Sequence, residues 1–139
     1  MPDTRSVWAY GEVSPQARMI VALGAGAPVL AILWGTAFGH WPVDVVTFGT
    51  VFLIAAMPLL ARRRTRFETL CLVAAVMLIP LTVLGVFFVL FTHLPLVAIE
   101  LFARGVSRRP ESRILALAGT GLAALTLTCW WCAILYSRL

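Results

Sequence analysis

Four long apolar stretches, separated by short polar segments, dominate the hydrophobic pattern of the chain. Each stretch is long enough, or nearly so, to cross a hydrocarbon core of about 30 Å as an α-helix. A mixed polar segment, residues 1–14, precedes the first stretch and is expected to form an N-terminal tail. The pattern predicts a single helical membrane domain over residues 15–139, with spans at about 17–38, 43–60, 68–91 and 112–136.

Helix-start signals support the first three spans. Ser14 followed by Pro15 is a typical N-cap with proline at the first helical position. Pro42 can open the second helix after a very short turn, so the first two spans are expected to form an antiparallel hairpin. Thr65 and Glu68 have the spacing of a capping box, which predicts the start of the third helix.

The run from Thr69 to Ala103 is too long for a single crossing, because one helix of this length would reach about 52 Å. In one interpretation the third span ends near Phe91, and a separate helix at about 95–107 lies along the outer membrane surface. A polar stripe on one helix face supports this interpretation: His93, Glu100, Arg104, Ser107, Arg108 and Glu111. In the other interpretation the run turns back near Gly85, and the chain crosses the membrane five times.

Composition makes lipid the expected solvent. Hydrophobic residues make up 61% of the 139 residues and charged residues 12%, against roughly 45–50% and 25% in soluble domains. A soluble body of this size has too much surface to hide so much apolar area. We therefore predict an all-α integral membrane protein: a bundle of four transmembrane helices with an additional interfacial helix. Five transmembrane helices are the alternative.

The basic residues are all arginines, and eight of the eleven form two runs beside apolar stretches: Arg62, Arg63, Arg64 and Arg66, then Arg104, Arg108, Arg109 and Arg113. Such runs orient a membrane protein and contact anionic headgroups, so the bilayer rather than nucleic acid is the expected partner. Four spans would leave seven arginines inside and four outside, whereas five spans would leave ten inside and one outside. The arginine balance thus favours five, and both arrangements predict a cytoplasmic N-terminus.

The amino-acid usage also points to a source. The chain has no lysine and no asparagine and is rich in Ala, Arg, Gly, Leu and Val, which is typical of GC-rich coding. A multi-pass protein of a bacterial inner membrane is therefore expected. Residues 1–14 lack the basic start and short apolar core of a signal peptide, so the first apolar segment is expected to stay in the mature protein.

Two stripes of small residues recur at four-residue spacing, one in the first span and one in the last: Ala27, Ala31 and Gly35, then Ala116, Thr120, Ala124 and Thr128. Small residues on one face let helices approach closely in lipid. Both stripes are therefore predicted to be helix-packing faces, used within the bundle, in a homo-oligomer or against a larger membrane-protein partner.

Cys129 and Cys132 form a C-x-x-C pair, in which one thiolate can attack and its neighbour resolve. A four-helix membrane bundle with such a pair resembles the vitamin K epoxide reductase and quinone-linked disulfide-forming families. The resemblance rests on this tetrapeptide and the number of spans, and it implies thiol redox chemistry. Those families share a second cysteine pair that relays electrons. This sequence has only one further cysteine, Cys71, which cannot form such a pair alone. The alternative is that the two thiols simply pack at a helix interface.

A second set of candidates is ionisable: His40, Asp44, His93 and Glu100. Ionisable groups at membrane depth are costly and often functional, and these could ligate a divalent metal or relay protons. The alternative interpretation is structural, because Asp44 suits a helix start and Glu100 has Arg104 at i+4 as an ion-pair partner.

These observations favour a non-enzymatic protein that acts through helix–helix contacts, as an accessory subunit or a homo-oligomer. One alternative is a membrane enzyme, with thiol redox at Cys129 and Cys132 or metal-dependent lipid chemistry. The other is a small transporter or channel subunit with Asp44 or Glu100 as the ion-coupled carboxylate. The sequence specifies no cofactor.

Overall fold

The computed structural model describes residues 11–37, 41–84 and 94–139, and helices make up nearly all of these residues. We number the α-helices α1 to α5 in chain order: α1 Pro15–Ala37, α2 Trp41–Ala56, α3 Arg64–Leu84, α4 Leu94–Arg108 and α5 Arg113–Arg138. A short 3-10 helix, Met57–Leu60, extends α2. The predicted all-helical fold is confirmed for the described residues.

Three helices are long and apolar enough to cross a membrane, over Pro15–Trp34 in α1, Arg64–Val83 in α3 and Arg113–Tyr136 in α5. A shorter apolar helical segment, Val45–Leu60, covers most of α2 and the 3-10 helix that follows it. These helices match four predicted spans in position, although α3 ends at Leu84 and the rest of the predicted third span lies outside the described residues.

Serine side chains start two of the helices. The Ser14 hydroxyl accepts a hydrogen bond from the Ala17 backbone N–H at 3.3 Å, and Pro15 is the first residue of α1, as the sequence predicts. The Ser112 hydroxyl accepts from the Leu115 backbone N–H at 3.4 Å at the start of α5. Each cap satisfies a backbone donor that the helix itself leaves unpaired.

Helices α1 and α5 run parallel. Near their starts the Ile20 side chain lies against Gly119, and towards their ends the Trp34 and Trp130 rings meet edge to face with centroids 6.3 Å apart. Helix α2 joins the same contact, because Phe48 lies edge-on to Trp130, also at 6.3 Å.

The connection between α2 and α3 lies beside the start of α1. The Arg18 guanidinium donates to the Ala61 carbonyl at 3.1 Å, and the Arg64 backbone N–H donates to the Gly11 carbonyl at 2.8 Å. Helix α2 therefore returns antiparallel to α1, as predicted for the first hairpin.

Helix α4 runs antiparallel to α3, which corrects the arrangement predicted first. Its C-terminal Arg108 contacts Glu68 in the second turn of α3, and the Arg64 guanidinium donates to the Arg108 carbonyl at 2.8 Å. A helix at about 95–107 was predicted to lie along the outer membrane surface, whereas α4 packs against α1, α3 and α5. The two arginine runs consequently lie at the same end of the bundle, not at opposite ends.

Most of the buried side chains belong to α1, α3 and α4. The largest are Ile20, Phe67, Leu78, Leu96 and Ile99. Large apolar side chains elsewhere on the helices face outward, among them Met19, Leu53, Val76, Leu101 and Leu117. So extensive an apolar exterior is typical of a protein surrounded by lipid.

Candidate functional site

A carboxyl group is buried between α3 and α4. Glu100 is only 2% exposed, and it faces Cys71 of α3, which is completely buried. The Cys71 thiol lies beside the Glu100 carboxyl group. One oxygen of this carboxyl group, Oε2, is buried and has no hydrogen-bond partner among the described residues. It therefore keeps a free acceptor position in the bundle interior, which is an unusual and costly arrangement for a polar atom.

Arg104 lies one turn further along α4, but it does not form the i,i+4 ion pair expected from the sequence. Its Nε atom is buried and lacks a hydrogen-bond partner among the described residues. The ion pairs in the described part of the chain both involve Glu68 instead. Glu100 and Arg104 thus place an unsatisfied acceptor and an unsatisfied donor on neighbouring turns of one helix.

Glu68 joins the ends of α3 and α4 nearest the arginine runs. Its Oε1 accepts from Arg64 Nε at 3.0 Å and its Oε2 from Arg108 Nε at 3.1 Å. The Ser107 hydroxyl lies 3.5 Å from Oε1. The capping box predicted from Thr65 and Glu68 is therefore wrong, since this carboxylate binds two guanidinium groups. Both of these bonds join oppositely charged groups, whereas a capping box would give the carboxylate one bond to a neutral backbone N–H.

The end of the bundle around Glu68 is strongly basic. Its arginines come from the starts of α1, α3 and α5, from the end of α4 and from the connections before α3 and α5: Arg18, Arg62, Arg63, Arg64, Arg66, Arg108, Arg109 and Arg113. The acidic residues described in these segments are Glu12, Glu68 and Glu111. This concentration of charge depends on the antiparallel pairing of α3 and α4.

The cysteine pair lies near the opposite end of the bundle. Cys129 and Cys132 are both free and exposed, and they occupy successive turns of an uninterrupted helix α5. Cys129 lines an apolar cavity of about 390 Å³ together with Trp34, Pro95, Leu122, Leu125, Thr126, Trp130 and Ala133. Cys71 lies in the second turn of α3, so the structure brings no third thiol to the pair.

The predicted metal ligands are only partly within the described residues. His40 and His93 lie outside them, and Asp44 is in the first turn of α2 with its side chain undescribed. Glu100 is the one member of the set whose side chain is described. Within the described part of the chain, no three His, Cys, Asp or Glu residues are grouped so as to hold a metal ion.

The small-residue stripes have different surroundings. Ala27 and Ala31 are completely buried in the core, whereas the burial of Gly35 lies outside what the structure describes. In α5, Ala116 and Thr120 are half-buried, and Ala124 and Thr128 are exposed. Helix α5 instead buries a different face, formed by Gly119, Ala123, Thr126, Trp130 and Ile134.

Comparisons with protein-family models, with curated proteins and with solved structures find no match to this chain. The site is therefore characterised by its own geometry. Sequence reasoning selected Glu100 but missed the two α3 residues that face α4, Cys71 beside Glu100 and Glu68 beside Arg108. The available signal was the spacing of two polar faces, Glu68 with Cys71 on one helix and Glu100 with Ser107 on the next. Those faces meet only when the two helices are antiparallel.

Proposed function

We propose that the protein crosses a bacterial inner membrane five times, with its N-terminus in the cytoplasm and its C-terminus outside. The gathering of eight arginines at one end of the bundle supports this orientation, because cytoplasmic loops are enriched in arginine. The reversal of direction between α3 and α4 supports the additional crossing. Helix α4 has 15 residues and is about 22 Å long.

Labelling of single cysteines tests this topology. Glu111 and Leu139 are both exposed, and they lie in the α4–α5 connection and at the C-terminus. In a cysteine-free background, an impermeant thiol reagent added outside intact cells should label Leu139→Cys and not Glu111→Cys. Labelling of Glu111→Cys with protection of Leu139→Cys would reject five crossings with this orientation. Permeabilised cells, in which both positions should react, provide the control.

We propose that the protein acts through helix–helix contacts in the membrane, as a homo-oligomer or an accessory subunit. The exposed small residues of α5 carry this proposal: Ala124, Thr128 and Cys132 follow one another at four-residue spacing on a face that the bundle itself does not cover. Small side chains let a second helix approach closely, and backbone and hydroxyl groups then make contacts that lipid cannot offer. The other exposed positions on this helix include bulky side chains, such as Leu117 and Leu125, and small residues, such as Ala118 and Gly121.

Cross-linking through Cys132 tests the association. In a protein with Cys71 and Cys129 replaced by serine, mild oxidation in membranes should give a disulfide-linked dimer. Ala124→Leu should reduce that dimer several-fold, because the larger side chain separates the helices. Ala118→Leu is the matched control, since Ala118 is also exposed but lies about a third of a turn away from Ala124. Equal yields from the two variants, or no dimer at all, would contradict self-association through this face.

Glu100 supports a second candidate function, that of an ion-coupled carboxylate in a transporter or channel subunit. The observation in its favour is the buried Oε2 atom, which has no hydrogen-bond partner among the described residues and can accept a proton or a cation. Purified protein in liposomes should then move charge in response to a proton gradient, and Glu100→Gln should abolish the movement. Glu111→Gln, a change of the same charge at an exposed site, should leave it intact.

A further inference from the structure

We propose that three arginines at the start of α3 bind the phosphate headgroup of one anionic phospholipid. Arg62, Arg63 and Arg66 line a groove of about 360 Å³ at the basic end of the bundle, together with Leu60, Ala61 and Leu70. A volume of this size lies within the range of small-molecule sites in proteins. The proposal rests on the membrane orientation proposed above and is independent of self-association.

These three guanidinium groups differ from their neighbours in being available to an anion. Arg18 donates to a backbone carbonyl, and Arg64 and Arg108 are both engaged with Glu68. By contrast, the exposed side chains of Arg62, Arg63 and Arg66 have no hydrogen-bond or ion-pair partner among the described residues. Planar guanidinium groups bind phosphate oxygens through two parallel hydrogen bonds, which makes arginine well suited to this ligand.

The walls of the groove favour a lipid over a soluble phosphate. Leu60, which lines the groove, is 83% exposed, and half-buried Leu70 lies one turn beyond Arg66 towards the apolar part of α3. A headgroup held by the arginines would therefore place its acyl chains beside apolar side chains. Thr65 and Thr69 line an adjoining cavity of about 280 Å³, also bordered by Arg66 and Leu70. Basic pockets at the cytoplasmic ends of membrane helices are typical headgroup sites.

Native mass spectrometry of the purified protein tests this site. In detergent, the protein should retain phosphatidylglycerol in preference to phosphatidylcholine with a stoichiometry of one. Each arginine near an anionic lipid contributes about 1 kcal/mol, or roughly fivefold in affinity. The double variant Arg62→Gln with Arg66→Gln should therefore weaken phosphatidylglycerol binding roughly 25-fold.

Two controls separate a built site from general attraction. Arg109→Gln with Arg113→Gln removes the same charge from exposed positions at the same end but outside the groove, and it should weaken binding less than about threefold. Equal loss in the two double variants, or none in either, would overturn the proposal. Free glycerol phosphate is the second control, and binding of it as tightly as of the lipid would identify a soluble anion as the ligand. Unchanged circular dichroism and gel-filtration behaviour would show that the variants remain folded.

Discussion

Replacement of Gly24 by alanine tests the packing of α4 against α1. Gly24 is buried in α1, and a Cβ atom built on it would lie 2.7 Å from Cγ2 of Ile99. Ile99 is itself 1% exposed, and a β-branched side chain in a helix has little rotamer freedom. The two helices must therefore separate or Ile99 must adopt a strained rotamer.

Two opposing effects determine the size of the change. Alanine is favoured over glycine in a helix interior by about 0.8–1.0 kcal/mol, whereas overpacking of a well-packed core costs about 1–3 kcal/mol. Gly24→Ala should therefore lower the free energy of unfolding by between zero and about 2 kcal/mol. Gly121→Ala is the matched control, because Gly121 is exposed in α5 and its added Cβ would meet nothing within 4 Å. The control should gain the stabilisation that alanine has over glycine in a helix, so the free energies of unfolding of the two variants should differ by about 1–3 kcal/mol.

Thermal unfolding in one detergent gives the measurement. For a chain of this length 1 kcal/mol corresponds to roughly 3–5 °C, so the two melting temperatures should differ by about 3–15 °C. Ile99→Leu removes the Cγ2 methyl group, and the double variant with Gly24→Ala should recover part of the loss as a coupling energy. If α4 lay on the membrane surface away from α1, Gly24→Ala would behave like Gly121→Ala and the coupling would be absent.

Two further predictions concern the contact between α3 and α4. Glu68→Gln should lower the free energy of unfolding in detergent by about 1–2 kcal/mol, because it removes a largely buried charge that binds Arg64 and Arg108. The loss is limited because Arg108 is about half exposed. Glu111→Gln should change stability by less than about 0.5 kcal/mol, and equal losses from both variants would refute this role of Glu68. Cys71, which is completely buried, should resist alkylation by N-ethylmaleimide in folded protein when it is the sole cysteine, as followed by mass. Rapid reaction, at the rate of a matched protein that keeps only exposed Cys132, would show that Cys71 is not enclosed between the helices.

The positions of the helices could be predicted from the sequence because they depend on local features. Apolar length, the Ser14–Pro15 start and the turn before Pro42 each reflect the chemistry of a few adjacent residues. The direction of α4 could not be obtained in this way. A polar stripe along a helix predicts only that the stripe avoids lipid, and it is satisfied equally by a membrane surface or by another polar helix face. Here Glu100 and Ser107 face α3.

The packing face of α5 shows a similar limit. The sequence favoured the stripe that contains Ala124 and Thr128, but the bundle buries the face that contains Gly119 and Trp130. Small residues permit close approach without requiring it, whereas a large ring can fill space between helices of unequal separation. Trp130 does so by contacting α1 and α2 at once. Which face packs depends on the shapes of neighbouring helices, which are not encoded in the spacing of one helix.

The positions of Glu68 and Glu100 along the same helix pair restrict how an ion could reach the buried carboxyl group. Glu100 lies eight residues before Arg108, which is about 12 Å along α4. The Glu68 ion pairs bridge α3 and α4 at the arginine-rich end, and the surrounding positive charge opposes the approach of cations from that side. If Glu100 is the ion-coupled carboxylate proposed above, a cation would therefore reach it from the opposite end of the bundle, towards the start of α4. This asymmetry suits a site loaded from one side of a membrane, and it follows from the antiparallel pairing that brings both arginine runs together.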